Sequence, residues 1–177
     1  TYSAPFKPAS EGAHILYYRA HDLADNYSGV GIKNIKWDQT ELTKGPENIS
    51  VSPNPTSSDK STVTWEPASD NTGIDRYEVQ WKLGDKIYTD SVGQDIRKHE
   101  LNNLTEGVWT VIVRAFDSAG NSKEGSVSLT VDRTPPSAPS LSLTGTAAGS
   151  VSLGWNAVAG ADKYLIWYGT TPGTYLY

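Results

Sequence analysis

The chain has 177 residues, a formal net charge of −5 and 37% hydrophobic residues, with six Trp, ten Tyr, no Cys and no Met. The acidic balance argues against a nucleic-acid binder, which needs a basic face, and the missing thiols exclude a disulfide framework, a thiolate nucleophile and a Cys-ligated zinc. No apolar run reaches the length of a membrane span, and residues 1–20 lack the charged start and unbroken apolar core of a signal peptide, so the chain is expected to be an internal piece of something longer.

Period-two alternation dominates and helical periodicity is nearly absent. The first predicted strand runs through HILYYRAHDLADN (residues 14–26), with His14 on its inward face as a buried structural histidine. After the turn, Val30 and Ile32 share one phase while Ile35 and Trp37 fall out of it. One inserted residue near Lys33–Asn34 would restore the phase, which predicts a β-bulge there. TKGPENISVSPNP (43–55) then reads as a soft connection.

Next come strands with Val63 and Trp65 in phase, and with Tyr77, Val79 and Trp81 in phase. His99 lies in a strand near Leu101. WTVIVRAFDSAGN (109–121) places Trp109, Val111, Val113 and Ala115 on one face and Thr110, Ile112, Arg114 and Phe116 on the other. Val127, Leu129 and Val131 line up last. ASDNTG, LGDK and DSAGNSKEG supply the turns between strands. VDRTPPSAP sets three prolines within five residues, a stiff and extended spacer.

Two internal repeats decide the organisation. WTVIVRAFDSAGN restates HILYYRAHDLADN from 95 positions earlier, and SVSLGWNAVAGADKYLIWYG (150–169) restates STVTWEPASDNTGIDRYEVQWK (61–82). Trp155 answers Trp65 and Tyr164 answers Tyr77, across a loop three residues shorter. The chain therefore reads as an array: residues 1–45 carry the last strands of one unit, 46–133 a whole unit, and 134–177 the first strands of a third. The fold class is all-β, in tandem sandwiches, one complete and two partial.

With Trp65, Tyr77 and LNNLTEGVWTVIVRAFD, the middle unit resembles a fibronectin type III domain. Trp109 stands where that family places its corner tyrosine, so the corner hydrogen bond must come from an indole N–H or be missing. The first segment is similar to bacterial Ig-like modules with a GxHxLxYRAxDxAGN pattern, Asp25 replacing the glycine of that turn. The resemblance implies that the B–C and F–G loops lie at the pole where the chain enters. Asp38 would there meet Asp70 and Asn71, and also Asp117 and Asn121. Converging carboxylate and amide oxygens suit Ca²⁺, and similar turns occur in calcium-stiffened bacterial adhesins. The other reading has the same side chains capping their own turns. Ca²⁺ is the one cofactor candidate, and the fold requires none.

No catalytic constellation emerges. None of His14, His21 and His99 sits beside a nucleophile motif, and Glu100 with Glu106 reads as solvated surface. The chain is expected not to be an enzyme. If Tyr164, Ile166 and Tyr168 point inward, Leu165 and Trp167 point out, as a platform for a sugar or a neighbouring surface. Asn26, Asn48 and Asn103 open N-x-Ser/Thr acceptor sequences.

The leading expectation is a non-enzymatic extracellular segment of a stalk, sheath or adhesin that sets distance and stiffness. Its partners would be neighbouring repeats or copies of itself, and a polysaccharide or cell-surface ligand. One alternative is an accessory Ig-like/fibronectin III region of a secreted polysaccharide-degrading enzyme. Another is a filament subunit assembled by strand complementation between the partial ends.

Overall fold

The computed structural model describes residues 5–171 and 174–176. It divides into two compact units, residues 1–133 and 134–177.

In the first unit, seven strands build a sandwich: β3 (Glu47–Ser52), β4 (Ser61–Glu66), β5 (Arg76–Leu83), β6 (Lys86–Gly93), β7 (Lys98–Leu101), β8 (Gly107–Phe116) and β9 (Ser122–Val131), between a leading hairpin of β1 (Gly12–Tyr18) and β2 (Gly31–Trp37) and the unit's end. One sheet has the order β3-β4-β7 and the other β6-β5-β8-β9, all antiparallel. Alternation sets the facing. Trp109, Val111, Val113 and Ala115 are fully buried, and Tyr77, Val79, Trp81, Val63 and Trp65 meet them from the neighbouring strands. The opposite face of β8 carries Thr110, Ile112, Arg114 and Phe116, and there Arg114 stands across from Glu124 on β9 and forms an ion pair with it.

Three details seal this core. The Trp109 indole N–H donates to the Thr105 carbonyl at 2.7 Å, so an indole makes the corner bond. Gly125 lets β3 close on β9, since a Cβ there would lie 2.9 Å from the Pro46 carbonyl oxygen and 2.7 Å from Ile49 Cδ1. Thr56, beyond β3, bridges Val131 in the parallel sense, with its N–H on the Thr130 carbonyl (3.0 Å) and its carbonyl accepting from Asp132 N–H (2.9 Å). β3 itself arises within the stretch that reads as a soft connection, and Leu42, ahead of it, is buried in the core.

The β1–β2 hairpin corrects two expectations. Its register is unbroken from Gly12↔Trp37 to Tyr18↔Gly31, so there is no bulge at Lys33–Asn34. The phase argument presumed one buried face. The hairpin forms a two-stranded sheet of its own, so Ile32 and Ile35 simply occupy opposite faces. His14 is accordingly only partly buried, and its Nε2–H donates to the Ser10 carbonyl at 2.6 Å.

The second unit contains the hairpin β10 (Leu141–Ala147) and β11 (Ser150–Trp155), with a bulge between Leu143 and Gly145, and the pair β12 (Tyr168–Thr171) and β13 (Thr174–Leu176). Trp155 packs on Tyr164 at 5.7 Å and 50°, close to the 5.6 Å and 51° of Trp65 on Tyr77. Yet Trp155 is 39% exposed against 4% for Trp65, so it does not occupy the closed core its position suggests. Residues 163–167 form no strand. Ile166 and Tyr168 are exposed as fully as Leu165 and Trp167, which overturns their inward assignment. At Ile166 there is no ladder and so no pleat to separate inside from outside, and Tyr168 opens the two-stranded pair β12–β13.

Candidate metal centre

The site begins with the turn that the chain uses twice. Asp117 follows β8 directly and is only 1% exposed. Its Oδ1 accepts from the N–H groups of Ala119 (2.8 Å), Gly120 (2.7 Å) and Asn121 (2.9 Å), while Asn121 Nδ2 donates to Oδ2 at 2.7 Å. In the earlier copy Asp22 Oδ1 accepts from the N–H groups of Ala24 and Asn26, both at 2.9 Å, and Asn26 Nδ2 donates to Oδ2 at 3.0 Å. These bonds, that from the Asn26 side chain foremost, hold the Asp22 carboxyl below its ordinary pKa. Asp25 takes the left-handed conformation (φ 62°) where the later copy has Gly120 (φ 100°), so the turn keeps its shape without glycine.

Asp70 lies in the loop between β4 and β5. Its Oδ2 accepts from the Thr72 N–H at 2.8 Å, and the Thr72 hydroxyl lies 2.9 Å from the same oxygen. Asp38 follows β2 and is 7% exposed. Its Oδ1 accepts from the Thr40 N–H at 2.9 Å, and its Oδ2 lies 2.7 Å from the Thr72 hydroxyl. Glu11 steadies this turn by accepting from Gln39 N–H (2.9 Å) and the Thr40 hydroxyl (2.6 Å). Downstream, Lys44 and Ser69 exchange backbone bonds at 3.0 Å, which draws the incoming chain along the β4–β5 loop.

As a result, one oxygen from each of Asp38, Asp70 and Asp117 lies within 4.8 Å of the others. Asn121 Nδ2 also reaches the Asp38 carbonyl, at 3.5 Å. Among the described residues no Lys, Arg or His forms an ion pair with these carboxylates. Asp70 Oδ1 is closed off from solvent and has no hydrogen-bond partner. Crowded carboxylates with an unpaired oxygen are costly unless a cation compensates them. Carboxylate, carbonyl and hydroxyl oxygens in irregular loops are the donor set of a hard divalent ion.

Asn71 is exposed on the same loop. Reading the sequence missed Thr72, whose hydroxyl joins two of the acids, because nothing in the local pattern marks a threonine whose partner lies 34 residues away.

The remaining candidates lie apart. Asn26 spends its amide on Asp22, whereas Asn48 and Asn103 are exposed at positive φ (48° and 60°). His21 pairs with Asp25 and His99 with Asp90, each at 2.9 Å, arrangements that hold strands and turns rather than activating a nucleophile. Leu165 and Trp167, with Trp155, Tyr164 and Leu141, line an apolar depression of about 270 Å³ in the second unit. No helix among the described residues is long and apolar enough to cross a membrane.

Comparison with known proteins agrees with the architecture. The family model described as "Fibronectin type III domain" matches residues 44–132. Exoglucanase B of Cellulomonas fimi is 32% identical over a stretch that covers 60% of this chain but 11% of that protein's own length. Among solved structures, the chicken CNTN1 FN1–FN3 domains superpose with a TM-score of 0.53 at 16% identity, over 70% of this chain and 44% of the other.

Proposed function

The chain belongs to the fibronectin type III family, and from that premise we propose that it is a non-catalytic spacer in a secreted or surface protein, stiffened by Ca²⁺ where the leading hairpin enters the complete sandwich. The observation that carries this reading is the meeting of Asp38, just after the hairpin that precedes the sandwich, with Asp70 and Asp117 from two of its loops. A cation shared by these three ties the incoming chain to the domain. Asp38 supplies the incoming carboxylate and the Asp38 carbonyl a second oxygen. Asp70 offers its unpaired Oδ1, and Asp117 adds charge from a turn already locked by its own backbone bonds. A single ion then suppresses bending between the hairpin and the sandwich, and a spacer keeps its length.

The test is thermal unfolding with small-angle scattering, in 1 mM CaCl₂ and in EDTA. The reading requires a higher melting temperature and a longer particle with calcium. Identical values in both would reduce the acids to turn caps and leave stiffness to the prolines.

A second reading is favoured by the match to a stretch of Exoglucanase B. On it, the chain is an accessory Ig-like/fibronectin III region of a secreted polysaccharide-degrading enzyme whose catalytic domain lies elsewhere in the protein. Extending the sequence on either side decides between further repeats of this kind and a catalytic domain.

A further inference from the structure

The four-stranded sheet of the complete sandwich has two edges, β6 and β9. An edge strand offers unpaired N–H and C=O groups on which another chain can add a strand. On β6 a charge interrupts the inward phase: Asp90 shares the phase of Tyr88 and Val92 and pairs with His99 at 2.9 Å. An inward charge of this kind opposes further pairing. Over the second half of β9 the inward phase is Val127, Leu129 and Val131, with no charge. There the backbone itself is occupied. Asn54 Nδ2 donates to the Ser128 carbonyl at 2.8 Å, and the Thr130 N–H donates to Asn54 Oδ1 at 3.0 Å. Two positions on, the Thr56 N–H donates to the Thr130 carbonyl and the Asp132 N–H to the Thr56 carbonyl. Both pairs have one form, that of a parallel strand: a donor to the residue before Leu129 or Val131 and an acceptor for the residue after it. Thr56 makes it with its peptide groups, Asn54 with its side-chain amide.

From this we infer that Asn54 is a built-in stop against self-association: its side chain occupies the place on β9 where a strand of a second copy would dock by edge pairing. A side chain can end a ladder but cannot carry it further. The residues on either side, Pro53 and Pro55, have no N–H to offer an incoming strand. The edge is thus saturated from the Ser128 carbonyl to the Asp132 N–H without a new strand being added. The partner excluded is a copy of this chain, because the blocked stretch suits pairing with its own kind. SVSLTV (126–131) alternates, carries no charge and holds no proline, and SVSL recurs at 150–153. Among repeated sandwiches like strands meet at high local concentration, where misassembly is the characteristic failure. Asn54 is itself exposed, so its two bonds add little to stability; they change which contacts the edge accepts. The inference is independent of the calcium reading.

The experiment is sedimentation of the whole chain over a concentration series, with hydrogen exchange at β9 read on the same samples. Wild type, Asn54→Ala and Asn54→Asp are compared. The aspartate keeps the shape and the acceptor but sets an oxygen against the Ser128 carbonyl. Both variants are expected to rise above the wild-type mean mass with concentration, toward that of two chains, while the Ser128 and Thr130 amides gain protection. Adding Ser128→Lys, a charge on the exposed face of the edge, should return Asn54→Ala to the wild-type curve. Tyr77→Phe, which loses a buried hydroxyl in β5, should follow wild type. Folded Asn54 variants that sediment as wild type does overturn the inference and leave Asn54 as a fastener of its loop. Association that Tyr77→Phe shares, or that Ser128→Lys leaves intact, overturns it as well, because general instability then explains the effect.

Discussion

The Tyr77 hydroxyl accepts a hydrogen bond from the Ala68 N–H at 2.9 Å, bending the chain back three residues after Trp65. Tyr164 does the same for Val158 at 2.7 Å, three residues after Trp155. The loop between donor and acceptor is nine positions in one copy and six in the other, yet the bond is kept. Replacing Tyr77 with Phe leaves a buried N–H without a partner, which costs about 1–3 kcal/mol. Denaturant unfolding of Tyr77→Phe should show that loss at an unchanged m-value, and Tyr164→Phe, in a more open setting, a smaller one.

Asp70→Asn separates charge repulsion from metal binding. Without calcium the variant should melt above wild type, because one of three crowded carboxylates becomes neutral. With calcium it should gain less than wild type does. Melting curves for both proteins in EDTA and in CaCl₂ check the pair of signs. A variant that keeps the full calcium response would remove Asp70 from the ligand set.

Gly125 is predicted to resist substitution. A Cβ on it would strike the Pro46 carbonyl and Ile49, and forcing β3 away from β9 should cost about 1–3 kcal/mol in Gly125→Ala. Gly93, at the end of β6, has open space around its Cβ position. Gly93→Ala should leave the melting temperature unchanged or slightly raised, so thermal scans of the two variants give opposite results.

Asp22 gives the pH prediction. Its folded pKa is lowered, chiefly by the Asn26 side chain, so its contribution is fully present above the unfolded value and is lost as pH falls through the folded one. Carbon-detected NMR titration should find Asp22 titrating below the ordinary aspartate value. Asn26→Ala should move it back toward the ordinary range, and with Asp22 fully exposed the effect on global stability should be small.

The sandwich was legible because alternation reports burial wherever a strand has a sheet on one side and a second sheet beneath it. Trp109, Val111, Val113 and Ala115 meet that condition and are buried as their phase requires. The same reasoning failed at Lys33–Asn34 and at Ile166, where a lone hairpin and an unpaired stretch have no closed interior to enforce a phase. Of the candidate site, the Asp and Asn residues could be anticipated from the repeated turn and the order of the loops. Thr72 could not, since its contact with Asp70 is an ordinary local turn bond and the partner that brings it to the site, Asp38, lies 34 residues away.

The parallel bridge between Thr56 and Val131 has a mechanical meaning for a spacer. Tension pulls the chain leading into β3 one way and the chain leaving β9 the other. At that bridge the Thr56–Thr130 and Asp132–Thr56 bonds lie across the line of pull and are loaded in shear, so they must break together instead of peeling apart in sequence. On the spacer reading, the sandwich would thus be clamped against stretching at the end of its last strand.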